Sequence, residues 1–268
     1  MLSDHAIHEF RETVWGFYRD QGRHDLPWRQ TDDPYHILVS EVMLQQTQVS
    51  RVRTKYEEFL FAFPTIESLA EAPLGEVLRA WSGLGYNRRA QYLQQAAQYM
   101  TEFYTGSFPA GQKELEALPG VGRNTAGAIL AYAYNRPVVF IETNIRTVYI
   151  HHFFNDKEAI SDAELLPLVE ATLDNESPRE WYWALMDYGA WLKQAVGNLN
   201  ARSKHYAKQS KFTGSTRQIR GQVLKVLSDA ALTKSQLRKH IPDKRLSGVL
   251  SDLLGEGLIQ RRGNKLSL

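Results

Sequence analysis

Leu118-Pro119-Gly120-Val121-Gly122-Arg123 lies between one stretch of helical spacing that ends near Leu118 and another that begins near Asn124. Two glycines two apart let the backbone turn tightly. They also leave amides unobstructed at a helix N-terminus, where free N–H groups and the helix dipole attract a phosphate. The stretch reads as a helix-hairpin-helix phosphate clamp built from Gly120, Val121, Gly122 and Arg123. Most Gly-x-Gly pairs are ordinary turns. Here the preceding Leu-Pro, the following Arg and an amphipathic segment on each side favour binding of a DNA backbone. No strand precedes the motif, which argues against a nucleotide-binding crossover.

Outward from the hairpin, residues 1–200 read as helix after helix. Val49 to Phe63, Gly75 to Trp81, Arg89 to Tyr104 and Asn124 to Tyr134 place apolar residues at three-and-four spacing, and no run sustains strand alternation. Asp33-Pro34, Phe63-Pro64, Phe108-Pro109, Pro119-Gly120 and Ser177-Pro178 punctuate them. The expected fold class is therefore mainly α. At 268 residues and 43% hydrophobic the chain can bury a real core. The opening residues MLSDHAIHEF hold no basic stretch followed by an apolar run, and no segment approaches the roughly 18 apolar residues of a membrane span. A cytoplasmic protein with no membrane partner is expected, beside the nucleoid in a bacterium. Nothing suggests an oligomer, so a monomer is expected. With no cysteine at all, disulfides, thiolate metal sites, an iron-sulfur cluster and a cysteine nucleophile are excluded together.

The net charge of +2 conceals a polarised chain: residues 201–268 hold 15 Lys and Arg against 4 Asp and Glu, while residues 1–200 hold 17 against 26. A basic segment of that density attracts a polyanion in a salt-sensitive way, although a solvated charged face is the other reading. Residues 201–215 read as a basic linker. Beyond them Thr216 to Ala230, Lys234 to Lys239 and Asp243 to Gly255 read as helices. Leu258 to Arg262, the Gly263-Asn264 turn and Lys265 to Leu268 read as a hairpin. Three helices and a hairpin over 216–268 suggest a winged-helix-like domain, which either reads DNA or serves as a small packing module.

Five segments, in this order, resemble the MutY-type adenine mismatch glycosylases of the helix-hairpin-helix superfamily: Leu26-Pro27-Trp28-Arg29, Ser40 to Val49 (SEVMLQQTQV), Trp81 to Tyr86 (WSGLGY), Leu118 to Ala128 (LPGVGRNTAGA) and Met186 to Ala190 (MDYGA). The match covers about residues 8 to 192. The resemblance implies a two-lobed helical glycosylase body, a cleft between its lobes, and double-stranded DNA containing a mispaired or damaged base as partner. Glu41 stands at the position of the acid that protonates the departing purine and then handles the attacking water. A buried carboxyl favours its neutral form, so such a proton donor works near neutral pH. Gln45 and Gln46 match glutamines that enter the duplex near the extruded base, and Tyr86 an aromatic wedge beside it. Asn124 occupies the position at which bifunctional relatives carry a Schiff-base lysine. An amide cannot form that adduct, so a monofunctional glycosylase is implied; Asn124 also suits a cap for the second hairpin helix. In relatives a monovalent cation rests on hairpin carbonyls, which here implies K+ or Na+ on those of Leu118 and Val121.

Three departures qualify the resemblance. In Phe140 to Val148 (FIETNIRTV) the family's catalytic aspartate is replaced by Glu142, whose extra methylene moves the charge by roughly 1.5 Å unless the backbone compensates. The alternative for Glu142 is a first-turn helix acid. Asn144 keeps the position of the family's nearby asparagine and is expected to supply a supporting hydrogen bond. After Met186 to Ala190 most relatives place four cluster-binding cysteines, whereas this chain offers Lys193, Asn198, Arg202 and Lys204, so side chains alone must hold that loop. Finally, the C-terminal 68 residues are shorter than the domain with which such enzymes usually recognise 8-oxoguanine. Adenine opposite 8-oxoguanine or guanine leads as substrate. Thymine or uracil opposite guanine on the same scaffold, and a catalytically silent DNA-binding protein, are the alternatives. A metal-dependent nuclease wants clustered carboxylates or histidines, and His151-His152 read instead as packing or surface residues.

Overall fold

The computed structural model describes residues 2–155 and 157–268 and is mainly helical. Along the chain run α1 (Asp4–Gln21), α2 (Pro34–Leu44), α3 (Val49–Ala62), α4 (Ile66–Glu71), α5 (Leu74–Ala80), α6 (Arg88–Tyr104), α7 (Gln112–Glu116), α8 (Arg123–Tyr134), α9 (Thr143–Phe153), α10 (Asp162–Thr172) and α11 (Pro178–Ala195). Then follow α12 (Thr216–Asp229), β1 (Leu232–Thr233), α13 (Lys234–His240), α14 (Leu246–Gly255), β2 (Gln260–Arg262) and β3 (Lys265–Ser267). Among the described residues no helix is long and apolar enough to cross a membrane. The chain forms two compact units. One gathers the chain up to Leu38, Ala110–Ala117 and Val121–Lys208; the other gathers Val39–Pro109, Leu118–Gly120 and Gln209–Leu268.

In the first unit α11 is the central helix. Proline at its first position fits a turn that needs no amide hydrogen there, and Trp181, Tyr182, Leu185 and Leu192 are buried along it. Phe10 of α1 meets Trp181 edge-on at 6.0 Å and Tyr149 of α9 at 5.2 Å. Such rings contribute dispersion and area at once, about 1.5–3 kcal/mol for each fully buried apolar side chain. In α8 every residue from Ala126 to Ala133 is buried, as expected of a helix apolar all round. His152, in the last turn of α9, packs against the Phe10 ring and hydrogen-bonds the Tyr188 hydroxyl at 3.0 Å. Burial, with His151 adding to it, pushes its imidazole down to about 4, so it sits neutral in the fold.

Two of the sequence motifs meet here. Asp187 accepts a bidentate pair of bonds from Arg29 at 2.8 and 2.9 Å, and Arg23 donates to it through its backbone N–H and Nε, both at 2.7 Å. Asp187 and Arg29 are both buried. Burial pushes the Asp187 carboxyl up, but the bonds and charge of Arg29, with Arg23 behind them, outweigh it and hold the group below the usual carboxylate range.

The second unit has two parts. Helices α3, α4, α5 and α6 enclose Val52, Phe59, Leu69, Val77, Trp81, Leu93 and Met100. The buried amide of Gln94 closes the ends of that core by donating to the carbonyls of Leu69 and Ala72. Residues 216–267 form the helix, strand, helix, helix, hairpin order of a winged helix, with a three-stranded antiparallel sheet ordered β1-β3-β2. Leu232 pairs with Leu266 and Arg261 with the same residue from the other side. The strand β1 goes beyond the sequence reading, since two residues are too few for alternation to register. Ile219, Val223, Leu237, Val249, Leu250, Leu253 and Leu266 form the interior. This module sits on α6: the Glu256 carboxylate pairs with Arg88 at 2.6 Å and with Arg220, and Gln91 donates to the Glu256 carbonyl at 2.9 Å.

Asp187→Asn leaves two arginines without their carboxylate and is expected to lose about 3–5 kcal/mol of stability at pH 7, read from the shift of the urea midpoint. The ionised carboxylate is the stabilising form, so the wild-type advantage is present at neutral pH and is lost as pH falls through its lowered pKa. A loss below about 1 kcal/mol would contradict this account.

Candidate active site and nucleic-acid interface

In the second unit the predicted DNA-entering residues are drawn together by one side chain. The Arg89 guanidinium donates through Nη1 to the carbonyls of Val42 (2.6 Å), Met43 (3.0 Å) and Gln45 (2.7 Å) at the C-terminal end of α2. Through Nη2 it donates to Thr47 Oγ1 (3.1 Å) and to the carbonyls of Leu84 (3.2 Å) and Gly85 (3.1 Å). Helix ends carry unpaired carbonyls and partial negative charge, which a cation satisfies. Burial pushes this guanidinium down to about 10, with the Tyr86 side chain opposing that shift, so it stays charged at neutral pH. Its carbon lies 5.3 Å from the Trp81 ring centre and 5.6 Å from that of Tyr86.

The two loops it joins carry Gln46 at φ 57° and Tyr86 at φ 48°, left-handed backbone that favours glycine. Non-glycine residues there are strained by about 1–2 kcal/mol each, and such strain gathers at functional sites. Both side chains are exposed, Tyr86 by 37%. Gln45 is half-buried. Glu41, also half-buried, lies on α2 one turn before it.

The hairpin runs from α7 through residues 117–122 into α8, as its glycines predict. Leu118 and Val121 are buried, while Gly120, Gly122, Arg123 and Asn124 are exposed. Gly120 has φ +77°, and a Cβ there would lie 2.7 Å from Tyr92 Cβ, so both backbone and space require glycine. Gly122 is the N-cap of α8 with no side chain to cap it, and the helix's first backbone bond runs from Ala126 N to Gly122 O. No side chain caps the first-turn amides beside Arg123, an arrangement that suits an anion. Asn124 is therefore not the cap of this helix, as one sequence reading had it. It stands within the first turn, because the chain enters the helix one residue earlier than the spacing suggests.

In the first unit Glu142 is the N-cap of α9. Its Oε1 accepts from the backbone N–H of Asn144 (2.5 Å) and of Ile145 (3.0 Å). Burial raises the Glu142 carboxyl above its usual range, opposed by those N–H groups, by the N–H of Thr143 and by the charge of Arg146. Arg146 itself is held by a bidentate pair with Asp162 at 2.8 and 2.9 Å. The supporting bond expected of Asn144 is thus made by its main chain, while its side-chain amide faces Met186 Sδ at 4.0 Å. Gly189 of α11 lets this turn approach closely: a Cβ there would sit 2.2 Å from the Asn144 carbonyl oxygen.

Sequence reasoning passed over Asn200. It is buried, and its Nδ2 donates to the Thr143 carbonyl (2.7 Å) and to Thr147 Oγ1 (2.6 Å), fastening the first turn of α9. Arg202 Nε donates to the Lys157 carbonyl at 2.9 Å, the Ile160 N–H donates to the Arg202 carbonyl at 3.0 Å, and the Lys204 N–H donates to the Ile160 carbonyl at 2.9 Å. Among the described residues no group of three or more His, Asp or Glu side chains gathers as a metal site would require.

Residues 39–169 match the model of the HhH-GPD superfamily of base excision DNA repair proteins. The adenine DNA glycosylase of Mycolicibacterium smegmatis is 33% identical over 264 residues, covering 90% of each chain. That of Buchnera aphidicola subsp. Baizongia pistaciae is 36% identical over 187 residues, 68% of this chain and 52% of its own, so the chain spans about half the length of that relative. Among solved structures, a thermostable thymine-DNA glycosylase superposes with a TM-score of 0.62 at 26% identity, covering 70% of this chain and 87% of that one.

Arg89→Lys keeps a charge but loses the planar fork that spans both loops. It is expected to cost about 3 kcal/mol in urea unfolding and to weaken binding to a mismatched duplex. A change under about 0.5 kcal/mol would show that the loops hold without it.

Proposed function

This chain belongs to the HhH-GPD superfamily of base excision DNA repair proteins, and from that premise we propose that it is a monofunctional DNA N-glycosylase that hydrolyses adenine from pairs with 8-oxoguanine or guanine in duplex DNA. The observation that carries this reading is the Arg89 clamp. It binds the end of the helix that bears Glu41 to the loop that bears Tyr86, so an acid and the three side chains proposed to enter the duplex, Gln45, Gln46 and Tyr86, share one support. A binding protein needs the fillers but not the acid. The similarity to adenine DNA glycosylases, one of them matched over 90% of both chains, supports adenine as the base.

In the proposed reaction the hairpin amides at Gly122 and Arg123 hold a backbone phosphate. Gln45, Gln46 and Tyr86 fill the space left by the everted nucleotide and offset an unstacking cost of a few kcal/mol. The Glu41 carboxyl gives its proton to the base as the C–N glycosidic bond breaks and the bonding pair leaves with the base. The resulting oxocarbenium ion is balanced by the Glu142 carboxylate. Water adds to the sugar carbon, and its proton returns to Glu41. Asn124, unable to form an imine, leaves the abasic strand uncut. The carbonyls of Leu118 and Val121 are the hard oxygen donors that suit K+ or Na+, which would stiffen the hairpin there. With no cysteine in the chain, no iron-sulfur cluster takes part. The protein acts as a monomer in the compartment that holds the DNA.

Single-turnover incubation with labelled A:8-oxoG, A:G, T:G, U:G and undamaged duplexes, each with and without alkali, tests this. Product from the adenine pairs that appears only after alkali is expected. Release from T:G instead would favour the thymine reading, which the resemblance to a thymine-DNA glycosylase structure supports. Glu41→Gln and Glu142→Gln should each slow base release by on the order of 10²- to 10⁴-fold, and no effect from either would refute the assignment. The ionised form of Glu142 is the useful one and its pKa is raised, so the acid limb of the rate profile should lie above the ordinary glutamate value.

A further inference from the structure

Helices α12, α13 and α14 of the second unit follow the order of a helix-turn-helix reader but not its charge. The last of the three, which such folds lay in the major groove, exposes Ser251 and Asp252 and holds no Lys or Arg between Leu246 and Gly255. A helix without a cation has nothing to set against a phosphate backbone. The cations lie at its entrance instead. Arg217, in the first turn of α12, donates to the Tyr86 hydroxyl at 2.5 Å and to the Ser210 carbonyl at 2.6 Å. Arg245, just before α14, donates to the Gly214 carbonyl at 2.9 Å and to the two Asp243 oxygens at 3.0 and 2.8 Å. The segment from Ser210 to Gly214 is thereby fixed at both ends and joined to Tyr86 through one side chain. Lys211 lies between the fixed points and Lys244 beside Arg245, and both are exposed. The acid next to Lys244 is engaged by the Arg245 guanidinium, which holds the Asp243 carboxyl down to about 2, and Gln209 to Arg217 contains no acid. These residues all belong to the second unit.

We propose that Lys211 and Lys244 form a second duplex contact beside the Tyr86 wedge, one that holds phosphates flanking the everted nucleotide without reading sequence, and that this edge of the winged helix, not α14, faces the DNA. The inference rests on the proposed entry of Tyr86 into the duplex: a duplex opened at that ring passes over the residues tethered to it. Lysine ammonium groups are compact charges on flexible stems, suited to phosphate oxygens and carrying no sequence information there. Arg217 and Arg245 serve as tethers, since their guanidinium groups are committed to carbonyls, to the Tyr86 hydroxyl and to Asp243. A backbone already fixed on either side of Lys211 has little chain entropy left to lose on binding. The charge balance agrees. Residues 1–200 carry more acids than bases, so the attraction for a polyanion falls to the basic remainder of the chain.

Binding of the full chain to a duplex with one tetrahydrofuran, a base-less sugar analogue, tests this without catalysis when fluorescence anisotropy is followed over a range of salt. Lys211→Ala and Lys244→Ala should each reduce the slope of log affinity against log salt by about 1, and together by about 2. Lys225→Ala, at an exposed position farther along α12, should leave the slope as it is. All three side chains are exposed, so urea midpoints should not move. Hydroxyl-radical footprints locate the loss: in the double variant, protection to one side of the base-less sugar disappears while protection at the sugar remains. The proposal is overturned if the slopes of the Lys211 and Lys244 variants match wild type, if Lys225→Ala lowers the slope as much, or if protection fades evenly along the duplex. Wild type that fails to bind the duplex sinks this contact and the wedge together. Adenine release from A:G duplexes is scored separately. Release with unchanged slopes removes the second contact alone, and slopes that fall as expected without release sink the glycosylase reading and leave this one standing.

Discussion

A single guanidinium that faces carbonyl oxygens instead of a carboxylate organises the loops of Gln46 and Tyr86 in the second unit. Arg89 serves six acceptors on two loops that are some forty residues apart in the chain. A salt bridge would have bound it to one point. Neutral carbonyls let its fixed fork span both loops, and the dipole of α2 supplies negative potential at the end where the cation sits. The desolvation of a buried cation opposes the arrangement, and its pKa near 10 reflects that opposition. The lowered value still lies well above neutrality, so the guanidinium stays charged and can hold its six acceptors. Holding Gln46 and Tyr86 in left-handed backbone requires some such over-determination, since each conformation would otherwise relax.

The first unit solves the converse problem, an anion at a helix N-terminus. Glu142 caps α9 with its own carboxylate, which satisfies the first-turn amides of Asn144 and Ile145 that have no intrahelical partner. Aspartate reaches those amides with a shorter stem, and glutamate does so here from an extended backbone at φ −122°. The extra methylene is therefore folded into the cap. The turn that carries Glu142 is fixed from two further sides, by Gly189 against the Asn144 carbonyl and by the buried Asn200 amide. The Asn200 contacts replace covalent ties with hydrogen bonds in a chain that has no thiol to offer.

Local signals made most of this legible. Helices α3, α5, α6 and α8 begin and end within a residue of where apolar spacing sets them, because each is amphipathic or wholly apolar over its length and has proline or glycine close to at least one end. The hairpin was legible for the same reason: Gly120 needs its positive φ whatever surrounds it. Arg89, Asn200 and the Arg29–Asp187 pair were not, although Arg29 and Asp187 lie inside motifs that the sequence singled out. A side chain that hydrogen-bonds main-chain carbonyls leaves no partner in the sequence to notice, and a pair separated by 158 positions has no periodicity to betray it. Strand β1, two residues long, is defined by its pairing with β3 and by nothing in its own composition.

The contrast between the two carboxylates in the proposed chemistry follows from these supports. Glu41 lies on a helix whose C-terminal carbonyls are satisfied by Arg89. Glu142 is surrounded by N–H groups that favour its ionised form, and burial still leaves its pKa raised. A group meant to balance a transient cation benefits from that conflict. Desolvation strengthens its attraction for a positive sugar, while the cap fixes its direction before the charge develops, so little reorganisation remains when the bond breaks. In the proposed reaction the cap and the catalytic charge are one interaction used twice, since the carboxylate that caps α9 is the group that would face the sugar.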